Sequence, residues 1–132
     1  MHDSLHILVI DDEPAFVEPT VALLSLEGFR VTGALSGIEA LRRLSQPDTG
    51  KVDAFLIDFR MPGLNGGETL MQIRAAGAQG RAILVSAAAD IERIAREFGF
   101  DDSVRKPCDL DDLLAAIRRC TGSRSGDAVR VD

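Results

Sequence analysis

Features of exported proteins, of cysteine-based metal sites and of membrane proteins are scarce in this sequence. Its 132 residues include two cysteines, Cys108 and Cys120, which form no CxxC pair, so we expect packing roles for both. No apolar run approaches the length needed to span a membrane. The apolar stretch 5–10 is too short for a signal peptide and follows no basic segment. We therefore expect a cytoplasmic protein with no membrane segment.

Basic residues are also fewer than acidic ones. Lys and Arg number 15 against 21 Asp and Glu, which gives a formal net charge of -6. Binding to a nucleic-acid backbone depends on clustered Lys and Arg. We therefore expect no direct contact with nucleic acid, whereas basic protein partners are compatible with this charge.

Two apolar patterns alternate along the chain. Short apolar runs, typical of strands covered on both faces, are LHILVI, FRVTGA, VDAFLID, RAILVS and DSVRK. Segments with helical spacing are residues 14–27, SGIEALRRLS, NGGETLMQIRAAG, ADIERIAREFG and DLDDLLAAIRRC. With 45% hydrophobic residues, the chain is expected to form one domain over residues 1–120. Residues 121–132 are polar and predict a flexible tail or a linker stub.

Five strands alternating with five helices predict an α/β fold, with a doubly wound parallel sheet and helices on both faces. Ser36 and Asp109 are expected to cap the second and fifth helices. Pro19 interrupts the first helical segment, so this helix either bends there or has its regular part begin near Glu18.

Reactive polar residues stand at the carboxyl ends of four of the five predicted strands. They are Asp11, Asp12 and Glu13 after the first strand, Asp58 after the third, Ser86 at the end of the fourth and Lys106 after the fifth. A strand order of 2-1-3-4-5 would bring these four ends together at the switch point of the sheet, where such folds bind their ligands. The residues are therefore expected to form one site.

The acids of this predicted site need a counter-charge. Two ionised carboxylates ~5 Å apart repel by about 3 kcal/mol at an effective dielectric of about 20. Lys106 can offset part of this repulsion, and a divalent cation would offset more. Oxygen donors without nearby His or Cys favour Mg²⁺ over zinc. Alternatively, Asp12 and Glu13 serve only to cap the first helix.

Four segments, ILVIDDEP, LIDFRMPGLNG, ILVSA and RKP, resemble in this order the receiver domain of bacterial two-component response regulators. The resemblance extends from Leu5 to about Cys120 and implies a flavodoxin-like fold. It implies a phosphoryl group on Asp58, received from the phosphohistidine of a sensor histidine kinase or a histidine phosphotransfer protein. It also implies Mg²⁺ bound by Asp12 and Asp58 side chains, by Asp11 largely through water, and by the Arg60 carbonyl.

The remaining implied roles concern the phosphoryl group and its effect. Lys106 would pair with phosphoryl oxygens, Ser86 would hydrogen-bond one of them, and the Lys106–Pro107 bond would be cis. Such a chain is a phosphoacceptor that assists its own phosphorylation and dephosphorylation, and is not otherwise an enzyme. Phosphorylation would switch the surface between the fourth and fifth helices. Since no output domain is expected in this chain, the effect would pass through a downstream protein partner or through phosphate relay.

The fifth strand departs from the family pattern. Ser103 stands three residues before the lysine, where the family usually has Tyr or Phe, and its side chain is too small to relay a signal by ring position. The interval from Ser86 to Lys106 is short for the family and predicts a truncated or displaced fourth helix. Phe98 is expected in the core, and Phe100 either packs under a loop or replaces the missing aromatic.

Two other classes of function stay open. A metal-dependent phosphatase with an aspartyl nucleophile would need that nucleophile in a D-x-D arrangement on the first strand, where this chain has D-D. A phosphorylation-independent interaction module could keep the same residues as a relic. His2 and His6 lie away from the predicted site and are expected to be structural or solvated.

Overall fold

Strands and helices alternate through residues 4–122, the part of the chain that the computed structural model describes. The strands are β1 (His6–Ile10), β2 (Arg30–Ala34), β3 (Ala54–Ile57), β4 (Arg81–Ser86) and β5 (Asp102–Arg105). The helices are α1 (Pro14–Leu26), α2 (Gly37–Leu44), α3 (Gly66–Ala75), α4 (Ile91–Phe98) and α5 (Leu110–Thr121). His2 and residues 123–132 of the predicted tail lie outside the described residues.

The five strands form one parallel sheet in the order β2-β1-β3-β4-β5, which confirms the predicted doubly wound arrangement. Alternate residues of β1 enter two different apolar clusters. Leu8 and Ile10 pack with residues of α2, α3 and α4, whereas Ile7 and Val9 pack with residues of α1 and α5. Because both faces are covered, the central strands are continuous apolar runs.

Both predicted helix caps are present. The Ser36 hydroxyl accepts a hydrogen bond of 3.0 Å from the backbone N–H of Glu39 at the start of α2. Asp109 and Asp112 exchange two bonds of 3.0 Å between side chain and backbone at the start of α5. These bonds satisfy amide groups that the first helical turns leave without partners.

Helix α1 runs without interruption through Pro19, so the prediction of a regular part beginning near Glu18 is wrong. A proline at this position removes the hydrogen bond to the carbonyl of Ala15. Ala15 and Pro19 both lie on the exposed side of the helix, where water can hydrate that carbonyl.

Helix α4 has eight residues and ends at Gly99, in a left-handed conformation with φ 82°, in line with the predicted short fourth helix. Phe98 is half-buried, and its ring centroid lies 5.8 Å from that of Phe59. A Cβ atom on Gly67 of α3 would lie 2.4 Å from the Phe98 ring. Phe100 is 9% exposed and packs in the apolar cluster that contains Leu8 and Ile10. It lies at the amino-terminal end of β5, away from Lys106.

His6 is a buried structural residue, as expected. Its ring nitrogens lie 3.0 Å from the Lys51 carbonyl and 2.8 Å from the Thr32 hydroxyl, and burial lowers the pKa of the imidazole. Cys108 and Cys120 are half-buried free thiols, and burial raises the pKa of Cys120 to about 11. Among residues 4–122, no helix is long and apolar enough to cross a membrane.

Candidate functional site

The carboxyl ends of β1, β3, β4 and β5 meet in one cleft of about 500 Å³. Backbone hydrogen bonds hold the strand ends in register: the Asp58 N–H donates to the Ile10 carbonyl at 2.9 Å, and the Lys106 N–H donates to the Ser86 carbonyl at 2.9 Å. The cleft is lined by residues from all four ends and from the following loops, namely Asp12, Glu13, Asp58, Arg60, Ser86, Ala87, Ala88, Ala89 and Lys106. Residues far apart in the chain thus share one site.

Three aspartates form the acidic part of this cleft. Asp11, Asp12 and Asp58 each offer a carboxylate oxygen, and these oxygens lie within 4.8 Å of one another. Burial, followed by the charges of Asp11 and Asp12, raises the pKa of Asp58 to about 6, although Lys106 and the Phe59 amide act in the opposite direction. An additional positive charge would therefore relieve an unfavourable arrangement.

Lys106 supplies positive charge from the opposite side of the cleft. Its Nζ lies 2.6 Å from Asp11 Oδ2 and 3.8 Å from Asp58 Oδ1, and it stands 4.3 Å from the centre of the Phe16 ring. Burial alone would lower the pKa of Lys106, but the hydrogen bond to Asp11 and the charges of Asp58 and Asp11 raise it overall. The Lys106–Pro107 bond is cis, as the resemblance implies.

Ser86 contributes a neutral donor at the end of β4. The residue is 2% exposed, and its Oγ accepts a hydrogen bond of 3.3 Å from the backbone N–H of Ala88. Its own hydroxyl proton can still be donated to an oxygen in the cleft. The residues after Ser86 are three alanines, so this wall of the cleft consists of backbone and methyl groups.

Glu13 and Arg60 lie at the exposed part of the cleft. Glu13 occupies the N-cap position of α1, where its charge suits the helix dipole, although its side chain makes no capping hydrogen bond. Its backbone N–H instead donates to Asp11 Oδ1 at 3.0 Å. Asp11 therefore accepts hydrogen bonds on both carboxylate oxygens and is fixed in place.

Gly66 shapes the loop after Asp58. A Cβ atom on Gly66 would lie 2.3 Å from the Asp58 carbonyl oxygen, so any larger residue would displace the end of β3. The Gly66 N–H also donates to the Phe59 carbonyl at 2.8 Å, which closes the loop. The close approach of two backbone segments accounts for glycine at this position.

The donor set suits a hard divalent cation. Its side-chain donors are carboxylate oxygens, without histidine or cysteine among them, and Mg²⁺ prefers such oxygens in combination with water. The cluster opens into the cleft, which leaves space for water and a ligand. These residues therefore fit Mg²⁺.

Two contacts of the site were not predicted from the sequence. Phe16 lies under the Lys106 ammonium group, and Arg105 donates hydrogen bonds to the carbonyls of Ala88 and Ala89 at 2.8 and 3.3 Å. The sequence gives a weak indication of the Phe16 contact, because helical spacing places this residue on the inner side of α1. The sequence gives no indication of the Arg105 contacts, since these partners are backbone atoms of a loop.

Strand order and an acidic cleft at the switch point define the class of protein: a doubly wound, flavodoxin-like α/β domain with an oxygen-lined site. The family that matches is the response regulator receiver domain, over residues 7–118. The chain belongs to this family and is a receiver domain of two-component systems.

Curated relatives agree with this assignment. The transcriptional regulatory protein CpxR homolog of Haemophilus influenzae is 37% identical over 113 residues, which are 85% of this chain and 48% of that protein. Response regulator MprA of Mycobacterium ulcerans is 36% identical over 117 residues, 87% of this chain and 49% of the relative. The chain thus spans about half the length of these relatives.

Solved structures share the fold. A CheY-like receiver domain protein from Methanospirillum hungatei gives a TM-score of 0.79 at 26% identity, covering 89% of this chain and 93% of that one. Response regulator protein TrrA from Thermotoga maritima, in complex with Mg(2+)-BeF, gives a TM-score of 0.74 at 29% identity. That likeness covers 88% of this chain and 98% of TrrA.

Proposed function

We propose that this chain accepts a phosphoryl group on Asp58 from the phosphohistidine of a sensor histidine kinase or a histidine phosphotransfer protein, with Mg²⁺ as cofactor. The observation that supports this most is the surroundings of Asp58. Its carboxylate shares an open cleft with two further aspartates and lies 3.8 Å from the Lys106 ammonium. A carboxylate in that setting can act as a nucleophile toward an anionic group.

In the proposed step, an Asp58 carboxylate oxygen forms a bond to phosphorus as the P–N bond to the donor histidine breaks. The bonding electron pair stays on the imidazole nitrogen, and the donor leaves as a neutral imidazole when its other ring nitrogen carries a proton. Lys106 pairs with one phosphoryl oxygen, and the Ser86 hydroxyl donates to another. The same groups assist the attack of water that later removes the phosphoryl group.

Asp12 and Asp58 would hold Mg²⁺ through their side chains, Asp11 largely through water, and Arg60 through its carbonyl. When bound, the cation neutralises the charge that collects between the carboxylate and the phosphoryl oxygens. Asp11 accepts the 2.6 Å hydrogen bond from Lys106, which supports an indirect role for its carboxylate. Lys106 lowers the pKa of Asp58, and a bound cation would further favour its ionised form.

Phosphorylation then switches the surface formed by α4, β5 and α5, to which a downstream protein partner binds. We infer that the reaction takes place in the cytoplasm. We expect no direct contact between this acidic chain and nucleic acid.

The test is the intact mass of the full chain after incubation with acetyl phosphate and Mg²⁺. We expect wild type and Asp48→Asn, an exposed control, to gain one phosphoryl group, and Asp58→Asn to gain none. Excess EDTA should prevent the gain. Repeated turnover of small phosphomonoesters would favour a phosphatase instead, and wild type that stays unlabelled would favour a phosphorylation-independent module.

A further inference from the structure

Arg105 joins three parts of the molecule next to the candidate site. Its guanidinium donates to the Ala88 carbonyl at 2.8 Å and to the Ala89 carbonyl at 3.3 Å, both in the β4–α4 loop. It also pairs with Glu92 in the first turn of α4 at 3.1 Å. One side chain on β5 therefore holds both the loop and the start of the helix that follows it.

Arg105 stands directly beside Ser86 in the sheet. The two residues are paired in the parallel register of β4 and β5, and the N–H of Lys106 donates to the Ser86 carbonyl at 2.9 Å. Alternate strand residues share a face, so Arg105 lies on the same side of β5 as Ser103, toward α4. Asp102 lies on the other side, where it pairs with Arg119 of α5 at 2.7 Å.

The side chains of the loop that Arg105 holds carry no polar group that could bind a ligand. Ala87, Ala88 and Ala89 line the cleft, and their side chains are methyl groups. The Ala88 peptide N–H donates to Ser86 Oγ at 3.3 Å, while the Ala88 carbonyl accepts from Arg105 at 2.8 Å. A phosphoryl oxygen that binds the Ser86 hydroxyl therefore acts on a short backbone segment that Arg105 holds from the other side.

We propose that Arg105 is the positioning residue that couples a phosphoryl group on Asp58 to α4. This inference rests on the function proposed above. A planar guanidinium with five donors holds two carbonyls and a carboxylate in a defined geometry, so a shift of the loop also shifts Glu92. Ser103 has too short a side chain to make such a connection.

Loss of the Arg105 side chain should weaken the coupling between the phosphoryl group and α4 more than it lowers the stability of the fold. Arg105 is about half exposed, with 46% of its side chain accessible, and an exposed ion pair contributes little to stability. Arg105→Met keeps the length and removes all donors. Arg105→Lys keeps the charge but not the planar array of donors, and it serves as a second variant if the first folds poorly.

The experiment uses full-length, ¹⁵N-labelled chain with Mg²⁺ and beryllofluoride, a phosphoryl mimic. Amide chemical-shift changes are measured separately at the cleft and along α4. In wild type we expect changes in both regions. In Arg105→Met the cleft changes should persist, while the α4 changes should fall at least about threefold, with a smaller loss in Arg105→Lys.

Arg119→Met is the matched control. Arg119 of α5 is also an exposed arginine in an ion pair, but its partner is Asp102, on the opposite face of β5. It should leave the α4 response at the wild-type level. Equal α4 responses in Arg105→Met and wild type, or an equal loss in Arg119→Met, would overturn the inference. No cleft response in wild type would overturn the proposed function itself, and the inference with it.

Discussion

Single residues of the acidic cleft differ in how their charge is balanced. Asp11 is 1% exposed, but it accepts a hydrogen bond from Lys106 and another from the backbone of Glu13. Asp58 is close to the same lysine at the longer distance of 3.8 Å and is also close to two acids. The charge of the acid that we propose as nucleophile is therefore less well compensated than that of Asp11.

Removal of the Asp58 charge should stabilise the cation-free protein. The change of its pKa from 3.8 to about 6 corresponds to about 3 kcal/mol, which partial contact with solvent reduces to about 1–2 kcal/mol. We expect Asp58→Asn to raise the free energy of unfolding by that amount in urea denaturation at pH 7 with EDTA. Asp48→Asn, in an exposed turn, should leave it unchanged.

The same pKa sets the direction of a pH dependence. Because the pKa of Asp58 is higher in the folded state, the neutral acid favours folding, and this contribution is lost as the pH rises from about 4 to about 6. Wild type should lose stability relative to Asp58→Asn over that interval. Parallel curves for the two proteins, or a difference that Mg²⁺ does not reduce, would contradict this electrostatic explanation.

Lys106→Met should have the opposite effect on stability. It leaves the buried Asp11 carboxylate without its cation, so we expect a loss of about 2–4 kcal/mol in the free energy of unfolding with EDTA present. Lys51→Met is the control, because Lys51 is 81% exposed and 4.0 Å from Asp53. A loss of similar size in both variants would show that the Asp11–Lys106 pair has no special importance.

At the scale of strands and helices, sequence patterns predicted the elements that depend on local chemistry. Apolar runs identified the strands, and Ser36 and Asp109 marked helix starts because their side chains bond to nearby amides. The sequence left two alternatives for α1 at Pro19, a bend or a later start, since the outcome depends on which side of the helix meets water. The packing of Phe98 against α3 likewise depends on the distance between two helices.

Gly67 tests the contact between α3 and α4. A Cβ atom there would lie 2.4 Å from the Phe98 ring, so Gly67→Ala should destabilise the protein by about 1–3 kcal/mol. Adding Phe98→Leu should recover part of that loss, because a smaller side chain makes room for the methyl group. Urea denaturation of the two single variants and the double variant measures the interaction energy. Strictly additive losses would show that the two residues do not compete for space.

For the whole molecule, the parallel sheet explains why the main site residues could be predicted together. Parallel strands bring their carboxyl ends to one edge, so Asp12, Asp58, Ser86 and Lys106 were expected to meet although they are distant in sequence. The Phe16 and Arg105 contacts were not predicted, because they depend on helix packing and on loop conformation. The sheet topology thus determines the set of reactive residues, and the surrounding packing determines how each is held.

The location of the phosphoryl group tests the proposed function most directly. An aspartyl phosphate is an acyl phosphate, which borohydride reduces to a residue that tandem mass spectrometry can assign to one position. After incubation with acetyl phosphate and Mg²⁺, we predict reduction at Asp58 and at no other aspartate or glutamate. Reduction at Asp11 or Asp12, or phosphate found on a residue outside the cleft, would contradict the assignment of Asp58 as the acceptor.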